Sequence, residues 1–91
     1  MPKALLCIKT NLYSAKEVLQ ELEACDEVQE AFMVTGEYDI IAKVEGETFD
    51  DLVDIINRRI RNLTQVREIL SMLMIDSKKP AQEQENGVIV V

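Results

Sequence analysis

The chain has 91 residues, 47% of them hydrophobic and 30% charged, which is enough for one globular domain with one core and little margin as a monomer. A formal net charge of −7 argues against direct nucleic-acid binding, and the absence of His excludes His-based nucleophile relays and His metal ligands. No apolar run approaches the ~20 residues needed to span a bilayer, and Met1-Pro2-Lys3 lacks a signal-peptide pattern, so the sequence reads as cytoplasmic with no membrane partner.

The apolar run from Ala4 to Ile8, flanked by Lys3 and Lys9, predicts a first strand. After a connection from Thr10 to Tyr13, Ser14 opens a Ser-Ala-Lys-Glu capping box in which Glu17 reaches back. Ala15, Val18, Leu19, Leu22 and Cys25 then recur at spacings of three and four, as one face of a helix that Asp26-Glu27 ends. Val28 to Thr35 predicts a second strand and Asp39 to Val44 a third. Only Gly36-Glu37-Tyr38 separates them, so they form an antiparallel hairpin, because a parallel return needs a crossover of about a dozen residues. Thr48 caps a second helix, with Asp50 and Asp51 in its first turn and Phe49, Leu52, Val53, Ile56 and Ile60 as its apolar face. Asp54 and Arg58 make a supportive i,i+4 pair, and Asn62 is the stop. Val66 to Ile75 predicts the fourth strand.

The order is strand, helix, strand, strand, helix, strand. It predicts an α+β, ferredoxin-like βαββαβ domain over residues 1–76, with both helices on one face of a four-stranded antiparallel sheet. Residues 77–91 are a tail: Ser77-Lys78-Lys79-Pro80 is a linker pattern, and Val88-Ile89-Val90-Val91 is either an added edge strand or a free end.

A half-exposed antiparallel strand alternates apolar and polar residues. The fourth strand does not: Ile69, Leu73 and Ile75 point one way, Leu70, Met72 and Met74 the other. The second strand repeats this with Phe32 and Val34 against Ala31 and Met33, and the first with Leu5 and Cys7 against Leu6 and Ile8. Two helices cover one face only. The second apolar face calls for a partner subunit's sheet, giving a two-fold dimer with Met33, Leu70, Met72 and Met74 in its interface.

Support for catalysis is thin. The carboxylates fall mostly on helix surfaces or helix starts, and Gly36, Gly46 and Gly87 are isolated, so no phosphate-cradling loop and no cofactor motif is present. Arg58, Arg59 and Arg61 suit the C-terminal end of a helix. Cys7 and Cys25 lack a CxxC spacing and lie among apolar neighbours, as buried free thiols do. Thr35-Gly36-Glu37-Tyr38-Asp39 stands apart. It is either a turn, with Gly36 at positive φ and Asp39 capping backbone amides, or a polar rim able to hold a zwitterion.

The stretch from Val34 to Val44 (VTGEYDIIAKV), followed by an amphipathic helix and Val66 to Ile75 (VREILSMLMI), resembles the effector-binding (RAM) domain of the Lrp/AsnC family of transcriptional regulators. The resemblance covers residues 3–76 and starts at the first strand, which reads as the sensing domain without its helix-turn-helix half. It implies dimers joined through their sheets, assembly into octamers or similar rings, and an amino acid bound near the hairpin. The family's Gly-x-x-Asp falls on Gly36 and Asp39, with Thr35, Glu37 and Tyr38 as neighbouring contacts. Of two hydroxyl positions on the fourth strand, Ser71 matches one and Ile69 departs from the other, while Gln65 stands where the family carries Gly. The implied partners are full-length regulators of the same family, or metabolic enzymes. Two rivals remain: a structural adaptor that binds no small molecule, and a cofactor-free enzyme suggested by fold analogy alone.

Overall fold

A computed structural model describes residues 1–75. The elements are β1 (Lys3–Thr10), α1 (Ala15–Glu23), β2 (Val28–Met33), β3 (Ile40–Glu45), α2 (Phe49–Asp54), which runs on as a π-helix over Ile55–Ile60, and β4 (Val66–Leu73). The strands form one antiparallel sheet in the order β2-β3-β1-β4. The ferredoxin-like arrangement expected from the sequence is therefore the observed one. The tail strand proposed at residues 88–91 lies outside the described residues.

Alternation along β1 decides the two faces. Ala4, Leu6, Ile8 and Thr10 are buried, while Lys3, Leu5, Cys7 and Lys9 are half-exposed. Directly opposed residues of an antiparallel pair share a face. Ile40, Ala42 and Val44 of β3 therefore join β1's buried set, as does Ile69 of β4 opposite Ile8. Val18 and Leu22 of α1, with Leu52, Ile56 and Ile60 of the second helical segment, complete the core. Burying a side chain of this kind is worth about 1.5–3 kcal/mol, so this cluster is the main stabilising term.

Among the described residues, the other face has no helix. Leu5 and Cys7 of β1 sit between Ile41 and Lys43 of β3 and Leu70 and Met72 of β4, and Phe32 extends the row onto β2 opposite Ile41. Leu70, Met72 and Phe32 are each more than two-fifths exposed. The register corrects one expected member of this patch. Met33 pairs with Ile40 and so belongs to the helix-covered face at the rim of the sheet, and Phe32 takes its place. The hairpin sets this register, with Met33 opposite Ile40 just before the Val34–Asp39 turn bond, and alternation along β2 cannot say which of its two faces the helices cover.

Helix ends also depart from expectation. Thr48 caps α2 as read: its Oγ1 accepts from the Asp51 N–H at 3.1 Å. Ser14 makes no capping bond, so the Ser14–Glu17 box does not form; its hydroxyl donates instead to Gln65 Oε1 at 3.1 Å. Phe49 and Val53, placed on the buried face by spacing, are exposed. The Asp54–Arg58 pair forms at 2.9 Å. From Ile55 the helix widens, with the Arg61 N–H donating to the Ile56 carbonyl. Neither cysteine is fully buried: Cys7 is on the open face, and Arg59 Nη2 lies 3.7 Å from Cys25 Sγ.

Candidate functional site

The β2–β3 turn is closed by the Val34 N–H donating to the Asp39 carbonyl at 2.9 Å, with Gly36 at φ +114°. Only a residue without Cβ adopts that backbone at little cost. Asp39 does more than end the turn. Its backbone N–H donates to the Ile8 carbonyl, and its Oδ2 accepts from the Thr10 N–H at 2.8 Å and the Thr10 hydroxyl at 3.3 Å. The sequence reading had Asp39 capping its own loop. The sheet pairs β3 with β1, so the carboxylate instead holds the hairpin against the far end of β1, where Thr10 is buried.

A second turn meets the hairpin there. Between β1 and α1 the chain turns with Tyr13 at φ +64°, an unusual conformation for a residue with a side chain. Gln65, just before β4, ties this turn down: its carbonyl accepts from the Asn11 N–H at 2.8 Å, and its Oε1 accepts from Asn11 Nδ2 at 2.9 Å and from the Ser14 hydroxyl. The residue that departs from the family's Gly is thus a structural anchor here. One residue on, the β1–β4 register slips. Lys9 pairs with Glu68 and Thr10 with Val66, which leaves Arg67 as the extra residue of a bulge. A bulge of this kind re-aims a side chain, and Arg67 lines the space between the two turns.

That space is a groove of about 500 Å³. The hairpin lends it Glu37 and Asp39, the end of β1 and the following turn lend Lys9 to Tyr13, α1 lends Ala15 and Lys16, and β4 lends Arg67. Three cations and two carboxylates therefore face one concavity. The Lys9 ammonium also lies 5.5 Å from the centre of the Tyr38 ring, within cation–π range. Among the described residues, the two ion pairs are Arg58–Asp54 and Arg59–Glu27, so Lys9, Lys16 and Arg67 make none. Charges of both signs on the walls of one groove suit a ligand that itself carries both. A second groove, of about 450 Å³, lies at the other end of β1 and β3, and Asp26, Glu27, Glu45, Glu47, Asp51 and Asp54 line it. No group of His, Cys, Asp and Glu suited to a metal ion occurs among the described residues.

Of the residues singled out in the sequence, Glu37 and Asp39 line the hairpin groove, while Thr35, Gly36 and Tyr38 shape the loop beside it. Ser71 does not join them. It pairs with Leu6 in the middle of β1, about 13 Å along the strand from Arg67 at the usual rise per residue. Ile69, at the other hydroxyl position, is a core residue. Lys9, Thr10, Asn11, Lys16 and Arg67 were not anticipated as site residues. Lys9 and Lys16 bracket the β1–α1 connection, but only the pairing of β1 with β3 brings them to the hairpin.

The model of the Lrp/AsnC ligand binding domain matches residues 3–84. Regulatory protein AsnC of Escherichia coli strain K12 is 30% identical over 69 residues, which is 72% of this chain and 45% of that protein. The chain thus spans less than half the length of the curated relatives it matches. The crystal structure of FFRP-DM1 superposes with a TM-score of 0.81 at 37% identity, covering 82% of this chain and 100% of that one. A transcriptional regulator from Neisseria meningitidis, solved as its L-Met complex, has the same fold (TM-score 0.74, 16% identity, 87% of this chain and 53% of that one). The match over most of its length shows that the chain belongs to the Lrp/AsnC ligand-binding domain family.

Proposed function

We propose that this chain is a non-catalytic sensing module that binds a free amino acid in the hairpin groove and responds by changing its assembly. The carrying observation is the convergence of Glu37, Asp39, Lys9, Lys16 and Arg67 on one concavity beside the family's Gly-x-x-Asp turn. In this reading the ligand's ammonium meets Glu37 and Asp39, and its carboxylate meets a cation of the opposite wall. A second copy covers the open sheet face, as the exposed apolar row from Phe32 to Met72 favours; the exposed Met74, whose N–H donates to the Lys3 carbonyl, follows Met72 along the edge of β1. Dimers then associate into a ring with the turns of the groove at their contacts. Full-length regulators of the same family are partners through the same surfaces.

The response follows from linkage. A ligand that binds only the assembled form stabilises it, by ~2.7 kcal/mol at a free concentration one hundred times Kd. A thermal-shift screen of the twenty amino acids, with light scattering on each hit, tests this. A dose-dependent rise in Tm by an amino acid, accompanied by a change in mass, is the expected result. A well-folded oligomer that no amino acid perturbs would point to the adaptor reading instead.

A further inference from the structure

The two ends of the sheet carry opposite charge. Six carboxylates line the groove at the Lys3 end of β1, while Lys9, Lys16 and Arg67 gather at the Thr10 end. On a chain of net charge −7, the hairpin groove thus gathers three cations that make no ion pair among the described residues. Its own carboxylates are Glu37 and Asp39, and Asp39 already has one oxygen committed to Thr10. Glu68 is opposite Lys9 in the register but makes no ion pair with it. Arg67, the extra residue of the β4 bulge, lines this groove, so its placement is tied to the register of β4.

We infer that this groove selects acidic amino acids, glutamate or aspartate, over their amides and over basic amino acids. The inference rests on reading the groove as the effector site, and it names the ligand class for that site. A neutral amino acid needs one anionic and one cationic group. The groove offers more cations than that, and an α-carboxylate leaves at least one of Lys9, Lys16 and Arg67 for a second carboxylate. Arg67 presents a planar donor fork, which matches a carboxylate in a way that an ammonium does not. A basic side chain instead meets like charge, which disfavours it. Glutamine and asparagine have nearly the shape of the acids, so the discrimination is electrostatic.

The test is isothermal titration calorimetry on the full chain at low salt, with L-glutamate, L-glutamine, L-aspartate, L-asparagine and L-lysine as probes. An acid is expected to bind at least about fivefold more tightly than its amide, the scale of one or two partly exposed charge pairs, and lysine most weakly. Arg67→Gln should bring the acid-to-amide ratio close to one. Arg61→Gln, which removes the same charge outside the groove, should leave that ratio in place. Raised salt should narrow it. An amide that binds as tightly as its acid overturns the inference and leaves the sensing role standing, as does a ratio that collapses equally in Arg61→Gln. If none of the five produces binding heat or a shift in Tm, while another amino acid does, the acidic preference alone falls. If no amino acid binds at all, the sensing role falls with it.

Discussion

Asp39 and Thr10 lie 29 residues apart in sequence and are joined by one carboxylate oxygen. Because Thr10 is buried, removing that acceptor leaves an N–H and a hydroxyl without their partner. Asp39→Ala is therefore expected to lower the unfolding free energy by about 1–2 kcal/mol in urea titrations, before any ligand is considered. Asp39→Asn keeps an acceptor oxygen at the same place and should recover more than half of that loss. The asparagine variant is thus the one that separates charge from scaffold in binding work. Two glycines give a second contrast. At Gly36 a Cβ would meet open space, so Gly36→Ala meets only the backbone cost of φ +114°, about 1 kcal/mol. At Gly46 a Cβ would come within 2.8 Å of the Leu52 backbone nitrogen, and α2 would have to move off the sheet. Gly46→Ala is expected to be the more damaging of the two, by about 1–3 kcal/mol in the same titrations, because backbone is the obstacle.

Among the elements, two helices of similar amphipathic pattern start differently. Thr48 accepts the Asp51 N–H and is a true cap, whereas Ser14 turns its hydroxyl to Gln65 and leaves the first N–H groups of α1 uncapped. Thr48→Ala should cost about 1 kcal/mol and Ser14→Ala less than ~0.5 kcal/mol, read as the shift in the chemical denaturation midpoint at constant slope. Both start patterns look equally good in the sequence. What separates them is a residue about fifty positions away that competes for the Ser14 hydroxyl, and local pattern cannot see it. The same limit explains Phe49 and Val53. They have the spacing of a helical apolar face, but the sheet beneath α2 accommodates Leu52, Ile56 and Ile60 in one line. The existence and order of the six main elements were legible because each is an independent local period of two or 3.6 residues. The bulges near Val28/Glu30 and Lys9/Thr10 were not, because a bulge is a property of a pair of strands.

For the whole molecule, the decisive property is that, among the described residues, one face of the sheet is covered by the helices and the other is not. If the open face is the dimer surface, a charge placed on it should dissolve the dimer. Met72→Lys is expected to shift the chain toward monomer in sedimentation velocity. Met33→Lys, on the opposite face at the rim, should leave the mass unchanged. Equal effects of the two, or none from Met72→Lys, would rule out this face as the dimer surface. No helix among the described residues is long and apolar enough to cross a membrane.

The sequence by itself determined the α+β order, the hairpin at Gly36, the apolar character of both sheet faces and the resemblance to a ligand-binding family. All of these follow from residue type and short-range spacing. Tertiary structure decided which residues meet. It moved Met33 off the open face, set Ser71 apart from the hairpin, turned Asp39 toward Thr10 and Gln65 toward Ser14, and brought Lys9, Lys16 and Arg67 around Glu37 and Asp39. The physical reason is that a binding groove is made by strand register. A one-residue slip at a bulge redirects a side chain, and that slip is settled by the pairing of β1 with β3 and β4, across about 30 to 70 residues of chain.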